Sequence, residues 1–171
     1  MPAWAAAMPK EQWSEELKTF MGKVIERYGD DPVLESYQLE NEFFMKVFGI
    51  CPDHSRARLV EEYNFVKALD STRPIIVSRS NNWIGIPLNQ PRADVFAISV
   101  YKRVWDAGVT HRYLEYPFPA WYYGFIAGTQ QILFHKNMAI GELQAEAWAP
   151  NLKSVTQISL DEQNKSLNAQ R

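Results

Sequence analysis

Strand-like and helix-like patterns alternate along this chain, and the sequence shows no hairpin signal between the strands. Short apolar runs are typical of strands buried on both faces, whereas apolar residues at three- and four-residue steps are typical of amphipathic helices. The alternation predicts βαβ units and therefore an α/β fold with a parallel sheet. The predicted strands are 33–41, 74–78, 93–101 and 138–143, and the predicted helices are 11–28, 56–69, 120–136 and 160–171.

The segments between these patterns are predicted to be connections. Residues 1–10 contain two prolines, which predicts a loop or the tail of a strand, and 102–119 is predicted to be a long loop. Because 46% of the 171 residues are hydrophobic, we expect a globular chain that folds as a single domain, 1–171.

Composition excludes several classes of function. A net charge of −2 argues against a nucleic-acid partner held by charge. No apolar run is long enough to predict a membrane-spanning helix, and the N-terminus lacks the basic and apolar regions of a signal peptide. Cys51 stands alone and His54, His111 and His135 are far apart in sequence, so we predict no metal site and no cofactor.

Polar side chains follow each predicted strand. In parallel α/β folds, functional groups gather at the carboxyl ends of the strands. A core strand has little reason to end on a carboxylate, because burying an unpaired charge is costly. Two of the four predicted strands end on a carboxylate, which predicts an active site at the carboxyl edge of the sheet. The polar groups concerned are Asn41, Glu42, Ser78, Asn81, Tyr101 and Glu142.

Two carboxylates on a rigid scaffold suit glycoside hydrolysis, and we expect Glu42 and Glu142 to face each other across a sugar. One group protonates the leaving oxygen, while the other attacks the anomeric carbon or activates water. The alternative is that both carboxylates form ion pairs at the starts of loops, with Arg73, Arg79 or Arg103.

Four segments together resemble a known family. The segment 38–42 (QLENE) resembles the end of the fourth strand in retaining glycoside hydrolases built on (β/α)8, or TIM, barrels. This superfamily includes cellulases, mannanases and β-galactosidases. The pair 100–101 (VY) resembles the end of its sixth strand, and 140–144 (IGELQ) the end of its seventh. The segment 27–32 (RYGDDP) resembles the approach to the fourth strand.

This resemblance implies a fold, a reaction and roles for four residues. It implies an incomplete TIM barrel and hydrolysis of an O-glycosyl bond by double displacement, on a β-linked poly- or oligosaccharide. Glu42 would be the general acid/base and Glu142 the nucleophile. Asn41 would bind the sugar 2-hydroxyl, and Tyr101 would orient Glu142.

Further candidates lie near the same strand ends. Asn81 is a candidate substrate-binding residue, and Trp148 and Trp83 are either sugar platforms or packing residues. For Glu40 we expect an ion pair or hydrogen-bond network, and for Glu146 a loop anchor or an outer contact with the substrate.

The resemblance covers only the fourth to seventh strands of a barrel that needs eight strands and about 250 residues. We therefore expect a partial chain that is inactive by itself. The alternative is a half-barrel that dimerises. Two other functions stay open: a non-catalytic carbohydrate-binding relative, and an α/β enzyme with metal or phosphate chemistry. The second is disfavoured because no Gly-rich phosphate loop follows any strand.

Overall fold

The computed structural model describes residues 3–43, 51–80, 93–101, 103–106 and 109–143, together with 160–161, 163–165 and 168. Within these residues the order of elements is α1 (Ala3–Ala6), α2 (Lys10–Tyr28), β1 (Tyr37–Gln38), α3 (Arg56–Leu69), β2 (Ile75–Arg79), β3 (Val95–Val100), β4 (Arg103–Asp106), β5 (Arg112–Glu115), α4 (Ala120–Phe134) and β6 (Asn137–Leu143). The described positions from 160 to 168 are helical.

Four strands form a parallel sheet in the order β1-β2-β3-β6, which confirms the predicted α/β class. Strands β1 and β2 are parallel neighbours, with Tyr37 opposite Ile75 and Gln38 opposite Ile76. The carboxyl ends of these neighbouring strands therefore lie at the same edge, which is where the sequence predicts polar chemistry.

The helices lie close to their predicted bounds. Helix α3 begins and ends as predicted. At its start, the Ser55 hydroxyl caps the helix by accepting from the backbone N–H of Arg58 at 3.2 Å. Helix α2 begins at Lys10, one residue early. Helix α4 ends at Phe134, two residues early, because His135 takes a left-handed conformation with φ of 52°.

Two predictions near the N-terminus were wrong in part. Residues 1–10 were predicted to be a loop or strand tail, but the alanine-rich segment Ala3–Ala6 is helical, in keeping with the high helix propensity of alanine. The strand predicted over 33–41 is only Tyr37–Gln38. The Arg73 guanidinium binds the carbonyl oxygen of Leu34, near the start of the predicted strand, at 2.8 Å, so this group serves a side chain and not a sheet.

The prediction of a long loop over 102–119 was also wrong, because this segment contains the antiparallel hairpin β4–β5. The Asp106 carboxylate fixes the turn by accepting from the backbone N–H groups of Val109 and Thr110. Across the strands, the rings of Trp105 and Tyr113 meet edge to face with centroids 5.3 Å apart. Lys102 and residues 107–108 lie outside the described part of the chain.

The chain divides into two compact units, one formed by Met1–Ser80 with Pro87–Ala97 and the other by Asn81–Ile86 with Ile98–Arg171. Each unit has its own apolar cluster. That of the first contains Leu39, Phe43, Leu59, Val77, Ala93 and Phe96, and that of the second contains Ile98, Val100, Phe118, Tyr123 and Met138. The single catalytic domain over 1–171 stays a prediction.

Among the described helices, none is long and apolar enough to cross a membrane. Loops were also predicted over 79–92 and 147–159. Arg79 is instead the last residue of β2, and residues 81–92 and 147–159 lie outside the described part of the chain.

Candidate active site

The backbone turns sharply at Glu42, shortly after β1. Glu42 has a φ of 45°, in the left-handed region that non-glycine residues rarely adopt, and only 6% of its surface is exposed. Such a conformation costs about 1–3 kcal/mol and persists only where neighbouring groups hold it. The position of this predicted acid/base therefore depends on the contacts of the turn.

Ser78, at the carboxyl end of β2, supplies one of these contacts. Its hydroxyl accepts from the backbone N–H of Glu42 at 2.8 Å and from the side-chain amide of Gln38 at 3.3 Å. The same hydroxyl lies 3.1 Å from Asn41 Oδ1 and 3.2 Å from the Glu40 carbonyl oxygen. A single side chain thus connects β2 to the whole Glu40–Glu42 turn.

Asn41 is exposed, unlike its neighbour Glu42. Its Oδ1 atom accepts from Gln38 Nε2 at 3.3 Å and faces the Ser78 hydroxyl. With the oxygen engaged in this way, the Nδ2 amide is the end of Asn41 placed to donate to a ligand hydroxyl.

Glu40 forms the ion pair that its sequence position predicts. Its Oε1 atom lies 2.6 Å from Arg58 Nη1, and Arg58 is only 4% exposed. The same guanidinium binds the buried Glu62 at 2.5 Å and the Asp53 carbonyl oxygen at 2.6 Å.

The Arg58 guanidinium also lies over two aromatic rings, those of Trp13 and Phe43, with its Cζ atom 5.3 and 5.5 Å from the ring centroids. Arg58 therefore contacts residues on both sides of Glu42 in the sequence.

Burial raises the pKa of Glu62 from 4.5 to about 7, although Arg58 opposes the shift and Glu40 adds to it. Below about pH 7 the neutral form is therefore favoured in the folded protein. A raised pKa stabilises the fold fully below pH 4.5, and this stabilisation is lost as the pH rises through about 7.

We expect Glu62→Gln to flatten the pH dependence of stability. Between pH 4.5 and pH 8 the wild type should lose a few kcal/mol relative to the variant, at about 1.4 kcal/mol for each pKa unit. Urea unfolding at several pH values measures this difference. The exposed neighbour Glu61 offers a matched control, since Glu61→Gln makes the same chemical change on a side chain in water; parallel profiles for wild type and Glu62→Gln would contradict the expectation.

In the second unit, the ends of β3 and β6 bring two predicted site residues together. The Tyr101 hydroxyl donates to Glu142 Oε2 at 2.5 Å, and both residues are half-buried. The bond fixes the orientation of the carboxylate relative to β3. The catalytic roles of Glu142 and Tyr101 stay predictions.

Two of the arginines considered as ion-pair partners bind other carboxylates. Arg73 Nη1 lies 2.8 Å from Asp70 Oδ2, and Arg103 Nε lies 3.1 Å from Glu115 Oε1. Arg79, the third arginine considered, lies on β2 and is only 5% exposed.

Sequence reasoning missed the supporting residues of the first unit. Ser78 was placed among the polar groups at the strand ends and Gln38 within the segment 38–42, but neither was predicted to support the turn at Glu42. Arg58 was also missed, although its spacing from Glu62 matches an i, i+4 ion pair on a helix.

Four other predicted candidates, Asn81, Trp83, Glu146 and Trp148, lie outside the described residues. Among the residues that are described, no group of three or more His, Cys, Asp or Glu side chains could hold a metal ion.

The chain matches no protein-family model and no curated protein in sequence. Its fold resembles parts of larger solved structures. A GH2 β-galacturonidase from Eisenbergiella tayi, in its glycerol-bound form, aligns over 94% of this chain with a TM-score of 0.61 and 17% identity. The galacturonate-bound form aligns over 92% with a TM-score of 0.59 and 16% identity. A β-D-glucuronidase from Dictyoglomus thermophilum aligns over 91% with a TM-score of 0.58 and 16% identity.

This chain spans about a quarter (26%) of the length of each of these structures. At such low identity the alignments show a shared fold, seen here in the α/β arrangement of the parallel sheet.

Proposed function

We propose that this chain is part of the catalytic domain of a retaining β-glycosidase. It would supply the fourth to seventh strands of a (β/α)8 barrel, and the polypeptide with the complete barrel is called the parent protein below. The observation that carries the proposal is the 2.5 Å hydrogen bond from Tyr101 at the end of β3 to Glu142 at the end of β6. The alignment with glycosidases supports it at the level of fold.

In this proposal Glu142 attacks the anomeric carbon and forms a covalent glycosyl-enzyme, while Glu42 protonates the departing oxygen. Glu42 then takes a proton from water, which attacks the same carbon from the face that the leaving group occupied. Two displacements at one carbon retain its configuration. Tyr101 holds Oε2 of Glu142 and so leaves Oε1 to act as the attacking atom.

The substrate in this proposal is a β-linked oligosaccharide or polysaccharide. The exposed Asn41 amide would donate to the sugar 2-hydroxyl, an interaction that strengthens in the transition state. Asn81 and Trp148 are proposed to contact other parts of the sugar. Because the similar structures are named for β-galacturonidase and β-glucuronidase activity, β-uronides belong in the first panel of substrates beside neutral β-glycosides.

The test is hydrolysis of aryl β-glycosides by the parent protein, followed by Glu42→Ala. We expect this variant to hydrolyse substrates with poor leaving groups about 10²–10⁴-fold more slowly, because they depend on the proton that Glu42 donates. Cleavage of a dinitrophenyl glycoside to the covalent intermediate should change little, since that leaving group needs no proton.

Added azide should then accelerate turnover of the activated substrate by Glu42→Ala and yield the β-glycosyl azide. Azide carries its own charge and attacks the covalent intermediate without a general base. Sugar binding by a wild-type parent protein that has no hydrolytic activity would instead indicate a non-catalytic carbohydrate-binding relative.

A further inference from the structure

We propose that Ser78 is a positioning residue, which holds Glu42 in its working arrangement through one buried hydroxyl. The proposal rests on the role given to Glu42 above and adds a residue that acts through it. Ser78 lies on β2, whereas Glu42 lies beyond the end of β1.

The hydroxyl of Ser78 uses its hydrogen-bonding capacity in full. It has two lone pairs, which accept from the Glu42 backbone N–H and from Gln38 Nε2, and one proton to donate. The Glu40 carbonyl oxygen already accepts from the backbone N–H of Ser78 at 3.3 Å, so the hydroxyl proton is best used by Asn41 Oδ1 at 3.1 Å. Because Ser78 is only 2% exposed, water hardly competes for these bonds.

Glu42 needs this contact because the sheet no longer supports its backbone. Regular pairing between β1 and β2 covers Tyr37 and Gln38, and the Leu39 N–H still donates to the Ile76 carbonyl oxygen at 3.1 Å. The Glu42 N–H lies beyond this ladder, and the Ser78 hydroxyl stands in for the missing carbonyl acceptor. The same bond holds the left-handed conformation at Glu42, which points this side chain differently from an extended strand residue.

Removing the hydroxyl has a specific consequence. Ser78→Ala leaves the Glu42 N–H without this acceptor, so the turn can relax towards a common backbone conformation. A displacement of about 1 Å in a catalytic group can reduce a rate on the order of 100-fold. The loss should fall on the step in which Glu42 transfers a proton.

The experiment compares leaving groups in the parent protein. We expect Ser78→Ala to lower kcat/KM, which reports the formation of the covalent intermediate, about 10- to 100-fold for aryl glycosides with poor leaving groups and less than about threefold for a dinitrophenyl glycoside. Ser78→Thr keeps a hydroxyl on a residue suited to strands and should recover most of the loss. An equal loss for all leaving groups, or no recovery with threonine, would show a merely structural role and overturn the inference.

Ser99 provides the matched control. It lies on β3, the neighbour of β2, and is fully buried, and its hydroxyl has no hydrogen-bond partner among the described residues. Ser99→Ala is therefore the same chemical change in a similar setting without the link to Glu42. Its rates should stay within about twofold of wild type for all leaving groups; a leaving-group dependence like that of Ser78→Ala would refute a special role for Ser78.

Amide hydrogen exchange separates this inference from the proposed function. In Ser78→Ala the Glu42 amide should exchange at least about tenfold faster, beyond any change in global stability, whether or not the protein hydrolyses glycosides. Faster exchange in an inactive parent protein would support the positioning contact while the glycosidase proposal fails. Unchanged exchange at Glu42 would overturn the inference even in an active enzyme.

Discussion

Glu142→Ala in the parent protein should lower kcat for aryl β-glycosides on the order of 10⁴-fold or more, because the proposed function gives Glu142 the role of forming the covalent intermediate. Sodium azide should restore part of the rate, since the missing carboxylate leaves space for a small anion. That anion attacks from the face opposite the leaving group, so the product should be the α-glycosyl azide. Product configuration, read by NMR, separates this result from the β-azide expected for Glu42→Ala.

The control for this experiment is Tyr101→Phe, which removes the hydroxyl bound to Glu142 Oε2 and keeps the carboxylate. We expect a smaller loss, about 10- to 100-fold, because the nucleophile is present but less well oriented. Azide should not rescue it, since the Glu142 side chain still fills the space. If Glu142→Ala kept more than a tenth of the activity, or if its azide product had the β configuration, Glu142 would not be the nucleophile.

Local sequence signals predicted the helices and the buried strands well. Helix α3 has a serine cap and apolar residues at helical spacing, so its local preferences and its tertiary packing agree. The apolar runs of β2 and β3 were also recognised, because strands buried in a parallel sheet are continuous in hydrophobicity. In contrast, β1 was predicted too long, since Arg73, more than thirty residues away, binds the Leu34 carbonyl group that a strand would use.

The hairpin β4–β5 shows a different limit of prediction from the sequence. Its strands have four residues each, and what holds them together is contacts across the pair, such as Trp105 with Tyr113 and Arg103 with Glu115. Such contacts depend on the register of pairing, which a sequence does not display directly.

The sequence indicated which side chains lie in the candidate site, but it did not indicate which contacts hold them in place. Carboxylates at two strand ends are visible in the sequence, and so is the tyrosine that precedes Glu142 at a neighbouring strand end. The left-handed turn at Glu42 is not visible, because one of its contacts, the Ser78 hydroxyl, comes from another strand. The same holds for Arg58, whose partners come from α2, the β1 end and its own helix.

Arg58→Ala should lower the free energy of unfolding by about 3–5 kcal/mol, the range for breaking a buried ion pair by removing one partner. Glu62, only 2% exposed, would lose its cation, and the Asp53 carbonyl would lose its donor. The loss should be larger at pH 8 than at pH 5, because Glu62 is protonated in acid and then no longer needs a positive partner. Urea unfolding of the parent protein at both pH values measures this loss of stability.

An exposed ion pair gives the control for Arg58. Lys18 on α2 contacts Glu15 at 3.2 Å, and Glu15 is well exposed. Lys18→Ala should cost less than about 1 kcal/mol, since pairs in water contribute little. A similar small loss for Arg58→Ala would show that its cluster does not stabilise the fold.

The double variant Arg58→Met with Glu62→Leu separates the effect of Arg58 on stability from its effect on the position of Glu42. It removes both buried charges and keeps apolar volume, so it should recover most of the stability lost in Arg58→Ala. Glu40, which is half-buried, can turn towards water when its cation is gone. Activity should not recover to the same extent, because Arg58 contacts Glu40 and Phe43, which lie on both sides of Glu42. A double variant that is both stable and fully active would limit Arg58 to a role in folding.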